Sequence, residues 1–578
     1  MDKELLKYYE DELQYIKNMG ETFAKAHPQI AGRLKLGEDV DSHAERLIEA
    51  FSFLTARVNR KLDSQFDDII ESFFNILFPQ YNRPIPSFCI VQITKDQIPD
   101  SGYKVPRKTE LFFSKQEQYK FNTCYPVNMH PITIDSVTSQ YNSDMDSHEI
   151  KIKIKPMKGK KFSAMKLDSI RFFITDNCSN PFKLYDLIHN FRSVKIKYTN
   201  IDEKPVCKTV SLSPVGFEAD ESLSPFHDNE LSFPGFRLLH EYFNFPEKFL
   251  FFDVNELNQL DEVKDFFEIC IYPNYTDRYV SINDNTFCLH ATPAVNVFER
   301  IAHINIDHKQ TEYPINTDYY RNQELEVFSV ENIWETIPSD NSSQKTIYKP
   351  FCSFYHSNEN SDDDIVFWNE HRRISLKKGD NASDMFLSFN KTKGTWDRPE
   401  QLVFLKLYCI NKNLKTVNES EMHPTKGLGV KINCIKQPTI PVRPFDNADL
   451  KWRLLSHLAL NFSSLTTPHI LKETLHLYNM TDSIIYKQLI DGVNDIQVEH
   501  ITRKHPTLNC FYRGLEVSLW MNEDYYIDNS LILFSNVIDF FFGQFISINS
   551  FIQLTVKSFP YGKVIKQWEP QNGYKIVL

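Results

Sequence analysis

Residues 41–87 read DSHAERLIEAFSFLTARVNRKLDSQFDDIIESFFNILFPQYNRPIPS. Ser42 and Glu45 have the Ser-x-x-Glu spacing of a capping box, in which each side chain satisfies an orphan amide of a helix's first turn. A long helix is predicted to follow. Leu47, Ile48, Phe51, Leu54, Val58 and Leu62 recur at helical spacing on one face, and Ala50 and Phe53 widen the stripe. A further helix is predicted over about Phe66–Leu77, where Ile69, Ile70, Phe73, Phe74, Ile76 and Leu77 nearly encircle the axis. Such a helix is either buried deeply or shared with a partner. Pro79, Pro84 and Pro86 are expected to end the helical region, because proline lacks the amide donor and clashes with the preceding turn. Upstream, Leu5, Tyr8, Tyr9, Leu13 and Ile16 mark a helix over 3–19, with Gly20 as its stop.

After Ser87 the period changes from helical to alternating. FCIVQIT at 88, EIKIKIK at 149, SIRFFIT at 169, VKIKYT at 194, KFLFFDV at 248, FFEICIY at 266 and QLVFLKLYCI at 401 read as strands. Asn358–Asp364, NENSDDD, reads as an exposed loop, and Asn411–Pro444 as a polar, proline-punctuated linker into a further unit. Lys451–Asn479 reads as two helical pieces broken at Pro468, and the C-terminal region as strands at 511–521 and 550–557 with a helix near 531–545. The fold class is therefore α+β and multidomain: an N-terminal helical segment, then mainly antiparallel β domains with a helical insertion near 450–480. We divide it into 1–87, a helical segment and candidate assembly bundle; 88–300, β-rich; 301–440, a β-rich middle domain with exposed loops; and 441–578, α+β. At roughly 150 residues per domain, 578 residues suit such a division.

Composition narrows the function classes. Hydrophobic residues make up 41% and charged residues 24%, a globular balance. The net charge of −11 argues against nucleic acid as the main partner, since phosphate binding needs a basic face. The opening MDKELLKYYEDEL has no basic segment leading into an apolar run, so no secretory signal is expected. The longest apolar run, Leu531–Ile548, is interrupted by Asn536, Asp539 and Gln544 and reads as a buried helix, with no direct membrane insertion. None of the ten cysteines forms a CxxC pair, and several sit in apolar runs, as reduced core thiols of a cytosolic protein do.

Catalytic motifs are missing from this reading. Sixteen glycines are few for phosphate loops, and neither a Walker lysine motif nor GxGxxG occurs. Ser456-His457 lacks the GxSxG elbow of a nucleophile. His43 beside Glu45 reads as a polar contact near a cap, and the carboxylates at 144–149 lack the register of a calcium loop. No catalytic residue, metal ligand or cofactor is assigned. KIKIKPMKGKK at 151–161 sets Lys151, Lys153 and Lys155 on one strand face and Ile152 and Ile154 on the other. We read it as a solvated edge strand protected by lysines rather than as a surface for an acidic partner.

Ordered blocks along nearly the whole length carry a family resemblance. They are AHPQIAGRLKL with HAERLIEAFSFLTARVNRKLD and FPQYNRPIPS (26–87), FNTCYPVNMHPI (121–132), and IRFFI with LYDLI (170–188). Next come GFEADESLSPF with GFRLLHEYFNFPEKFLFFD (216–253), FCLHATPAVNVFERIAHINID (287–307) and ELEVFSVENI (324–333). The last are WRLLSHLALNFSSL (452–465) and LFSNVIDFFFGQFISINSFIQL (533–554). Together they resemble the TssF family of type VI secretion baseplate subunits, similar to phage tail baseplate wedge proteins. Ala44 and Ala50 depart from the usual pattern.

The resemblance implies a structural role in the bacterial cytoplasm. The partners it implies are TssG, TssK, TssE, a second TssF copy and the VgrG spike hub, in a wedge docked at the inner-membrane complex. The implied mechanism is to start tube and sheath growth and to relay the contraction trigger. On this basis Leu5, Tyr8, Leu13, Ile16, Phe51, Leu54, Phe73 and Phe74 are candidate interface residues. Two other classes stay open: a cytosolic multidomain β hydrolase using His457, and a surface-binding phage-tail-like protein.

Overall fold

The structure is a computed structural model describing residues 8–16, 18–19, 46–58, 79–113, 116–142, 147–223, 234–258, 260–274, 280–316, 325–339, 342–351, 365–375, 382–391, 400–412, 414, 421–424, 429–443, 453, 467–504, 511–543, 546 and 550–572. The chain divides into two compact units, Met1–Leu77 with Asn447–Leu455, and Phe78–Asp446 with Ser456–Leu578.

In the smaller unit, residues 8–16, 18–19, 46–58 and 453 are helical. The Tyr9 ring meets the Phe53 ring edge-on at 6.4 Å, joining stretch 8–16 to stretch 46–58 by an aromatic contact. The predicted cap at Ser42 and the predicted helix over 66–77 lie outside the described residues.

The larger unit is mainly antiparallel β with short helices. Its first sheet is a closed barrel ordered Phe88–Thr94, Ala291–Val295, Gln116–Thr123, Glu110–Phe113, Glu421–Pro424 and Lys431–Lys436, the last strand pairing again with the first. Cys89, Val91 and Ile93 alternate into its core with Leu111, Phe113, Phe121, Met422 and Ile432. The segment read as a linker, Asn411–Pro444, thus supplies two of the six barrel strands. Its polar, proline-rich composition suggested a connector, but the alternation of KINCIK buries Ile432 and Cys434 while Lys431 and Asn433 face out.

A five-stranded antiparallel sheet runs Pro205–Thr209, Phe191–Asn200, Val263–Pro273, Ser147–Pro156 and Ile132–Asn142. Ser147–Pro156 pairs on both sides, so the lysine-bearing strand is interior and not an edge. A four-stranded sheet places Phe251–Asn255 between Leu212–Pro214 and Ser169–Ile174. Only the second half of the predicted strand KFLFFDV is extended, because Pro246–Phe249 forms a 3-10 turn. Pro79 opens a helical turn, Pro79–Asn82, rather than closing one, since proline suits a first-turn position.

A seven-stranded sheet joins Phe298–Ile306, Gln401–Asn411, Leu325–Ser339 and four further strands around Ile333, Val403, Leu405, Leu407 and Cys409. The C-terminal sheet pairs Val493–Lys504 with Phe511–Met521 antiparallel, and Phe511–Met521 with Ser550–Ser558 parallel. A parallel pair needs a crossover, and helix Leu531–Gly543 lies within it. This helix is buried at every position but Phe540, which stacks on Phe217 at 4.8 Å. Among the described residues, no helix is long and apolar enough to cross a membrane.

Candidate assembly surface

Helix 46–58 has an unusual division of its sides. Leu47, Phe51, Leu54 and Val58, spaced 4, 3 and 4 residues apart, form one stripe and are 71%, 63%, 57% and 56% exposed. The opposite side carries Ser52 and Ala56, both fully buried. Ser52 has no competing demand there, because its hydroxyl donates to the Ile48 carbonyl at 2.7 Å. The helix therefore packs inward by its small residues and turns its large apolar residues out. Covering an exposed Leu, Val or Phe side chain stabilises by about 1.5–3 kcal/mol. Four chains, each more than half exposed, leave roughly 4–7 kcal/mol unrealised within this chain.

The candidate interface residues distribute unevenly. Phe51 and Leu54 lie on the exposed stripe. Tyr8, Leu13 and Ile16 are half-buried on the first helix. Leu5, Phe73 and Phe74 lie outside the described residues. The sequence reading omitted Tyr15 and Met19, which are 62% and 53% exposed on the helical stretches 8–16 and 18–19. Their i, i+4 spacing was the available signal, masked by the polar residues around them.

Among the described residues, the clefts of the larger unit are lined by charges paired with neighbouring elements. An open polar cleft of about 490 Å3 is lined by Arg107, Lys108, Glu110, Lys120, Glu299 and Arg300, among others. Its charges serve the fold. Lys120 pairs with Glu110 at 2.7 Å, Arg107 donates to the Ser222 carbonyl at 2.8 Å, and Glu299 takes Lys406 at 3.3 Å. Its thiol, Cys124, is pushed up to about 12 by burial and stays protonated. Among the described residues, no group of three His, Cys, Asp or Glu side chains is placed to hold a metal ion. The described cysteines are free; Cys89, Cys124, Cys270, Cys288, Cys409 and Cys434 are buried and Cys207 is exposed. His43, Ser456 and His457 lie outside the described residues.

Buried polar groups instead bolt elements together. Asp186 accepts the Ser530 hydroxyl and the Ile532 amide (3.0 Å), so its carboxylate caps helix Leu531–Gly543 from a distant part of the chain. Two of the residues that interrupt the apolar run, Asn536 and Asp539, hold the C-terminal segment. Asn536 accepts the Trp568 indole at 2.7 Å and donates to the Tyr185 hydroxyl at 3.0 Å, and Asp539 accepts the Gln571 amide at 2.5 Å. Burial pushes the Asp539 carboxyl up to about 8 and pulls Lys566 down to about 8.

Comparison with known proteins gives one family. The family profile described as Type VI secretion system, TssF, matches residues 1–575. The type VI secretion system component TssF1 of Pseudomonas aeruginosa is 26% identical, covering 99% of each chain. A chain in the cryo-electron microscopy structure of the TssK-TssF-TssG baseplate subcomplex superposes with a TM-score of 0.76 at 22% identity, covering 92% of this chain and 99% of that one. A chain in the structure of the baseplate complex from the type VI secretion system superposes with a TM-score of 0.61 at 21% identity, covering 99% of this chain and all of the other.

Proposed function

The chain belongs to the TssF family of type VI secretion systems, and on that premise we propose that it is a structural subunit of the baseplate wedge, assembling with TssG and TssK. The observation that carries this reading is the uncovered stripe of Leu47, Phe51, Leu54 and Val58. A permanent interface resembles a core cut in half, and this helix presents such a half. Leu5–Ile16 and Leu47–Phe74 contribute helices to an inter-subunit bundle with TssG. TssE, a second copy of this chain and the VgrG spike hub complete its contacts in the cytoplasm, where the wedge docks at the inner-membrane complex. The work done is assembly and relay: the platform starts tube and sheath growth and passes on the contraction trigger.

The test is co-purification with TssG and a mass measurement of the complex. Phe51→Glu with Leu54→Glu places two charges in the buried seam and is expected to abolish capture of TssG, as is Phe73→Glu. The substituted stripe residues are exposed, so the free chain keeps its melting temperature. A variant that melts like the parent and still captures TssG removes the bundle assignment. A one-to-one mass contradicts the second copy.

A further inference from the structure

The five-stranded sheet of the larger unit carries a basic face. Ile150, Ile152, Ile154, Val194 and Ile196 are buried on one side of it. On the other side stand Lys151, Lys153 and Lys155 of Ser147–Pro156 and Lys195 and Lys197 of Phe191–Asn200, all partly exposed. Register aligns them across the central strand. Cys270 pairs with Lys151 on one side and Lys195 on the other, and Glu268 with Lys153 and Lys197. Strand geometry sets neighbours about 7 Å apart along a strand and about 10 Å apart across the middle one.

Five lysines share three carboxylates: Glu149, Asp135 and Glu268, the last opposite Lys153 and Lys197 in register. Glu149 is 3% exposed and takes Lys197 at 2.8 Å, Lys151 at 3.4 Å and the Tyr272 hydroxyl at 2.7 Å. Asp135 takes Lys155 at 2.8 Å and Lys153 at 3.6 Å. Lys195 has no ion-pair partner among the described residues. The face keeps an excess of positive charge on a chain of net −11. Protection of an exposed edge does not account for it, because Ser147–Pro156 and Phe191–Asn200 both lie inside the sheet.

The chemistry selects the kind of partner. Base stacking needs an open aromatic ring, but Tyr272 is 2% exposed and Lys153 covers the Phe266 ring at 4.0 Å. Insertion into a lipid surface needs protruding apolar side chains, and the two lysine rows carry none. We propose that this face docks an acidic segment of a partner protein, whose carboxylates meet Lys153, Lys155 and Lys195.

The experiment measures binding of fluorescent poly-L-glutamate, single-stranded oligodeoxythymidine and phosphatidylserine vesicles to the full-length chain over a salt series. Poly-L-glutamate is expected to bind, with an affinity that falls as salt rises. K153Q/K155Q/K195Q is expected to weaken it about tenfold, three exposed charges acting together. Lys151 and Lys197 stay, because they neutralise buried Glu149. If the triple variant melts early, Lys195→Gln alone, which breaks no ion pair among the described residues, is expected to weaken binding about threefold. No binding of poly-L-glutamate, an affinity unmoved by these substitutions, or tighter binding of the oligonucleotide or the vesicles overturns the proposal. The lysine rows lie in the larger unit and the apolar stripe in the smaller, so this test and the TssG test fail independently.

Discussion

Lys248 is fully buried, and its ammonium meets the Glu241 carboxylate at 2.5 Å and the Glu221 carbonyl at 3.2 Å. Burial pulls the lysine down; Glu241 opposes this. Burial raises Glu241, but Lys248 and Arg237 outweigh it and hold the carboxyl low. Removing one partner of a buried pair strands the other, at a cost of about 3–5 kcal/mol. Lys248→Met should therefore lower the melting temperature far more than Lys264→Met, whose lysine pairs with Glu203 at the surface. Three imidazoles shielded by the fold, buried His189 and partly exposed His240 and His290, weaken it in acid. Burial pulls His189 down to about 3 and His240 and His290 to about 4, against about 6.5 when unfolded. Between these values the unfolded chain binds the extra protons, so stability is lost as pH falls from about 6.5 toward 4, by up to about 1.4 kcal/mol per pH unit for each histidine. Asp539, pushed up to about 8, acts in the opposite sense, gaining stability as pH falls. Three groups outweigh one, and the thermal midpoint should drop on acidification. His240→Asn should make that drop shallower, and Asp539→Asn should make it steeper. None of these shifts was legible in sequence, because a histidine's burial depends on what packs over it.

At the scale of elements, alternation was a reliable guide to strands and a poor guide to their neighbours. FCIVQIT and QLVFLKLYCI form Phe88–Thr94 and Gln401–Asn411, and the run beginning at Leu531 forms a buried helix. The lysine strand was recognised, but its interior position was not, since a row of lysines looks the same at an edge and in the middle of a sheet. The repeated pattern in VKIKYT at 194 was the clue to its companion row. Helix 46–58 was legible as an apolar stripe, while only the structure shows that Ser52 and Ala56 face inward and Phe51 outward. Close approach between elements also constrains single positions. A Cβ on Gly514 would lie 2.3 Å from the Phe551 ring, its register partner in the parallel pair. Gly514→Ala should then cost about 1–3 kcal/mol by overpacking, read as a lower melting temperature that a Phe551→Leu second change partly restores.

At the scale of the whole molecule, long-range closure decides the architecture. The Phe88 amide donates to the Thr439 hydroxyl at 3.0 Å across 351 positions of chain, and Lys431–Lys436 seals the barrel against Phe88–Thr94. Ile432, 2% exposed, points into that core. Ile432→Lys should bury an unpaired charge there, and hydrogen exchange should show Phe88–Thr94 losing protection although it lies far away in sequence. An exchange pattern confined to the neighbourhood of residue 432 would contradict cooperative closure of the barrel. The sequence by itself determined the strand periods, the buried C-terminal helix, the apolar excess near the N-terminus and, through its ordered blocks, membership of the TssF family. These properties are local or lie in the order of residues, so they can be read along the chain. Tertiary pairing and packing alone reveal that Glu421–Pro424 and Lys431–Lys436 close a barrel, that the lysine strand lies inside its sheet and that the stripe of Leu47, Phe51, Leu54 and Val58 is left uncovered. The physical reason is that periodicity fixes which side of an element is apolar, whereas its neighbour is fixed by pairing and packing between segments hundreds of residues apart.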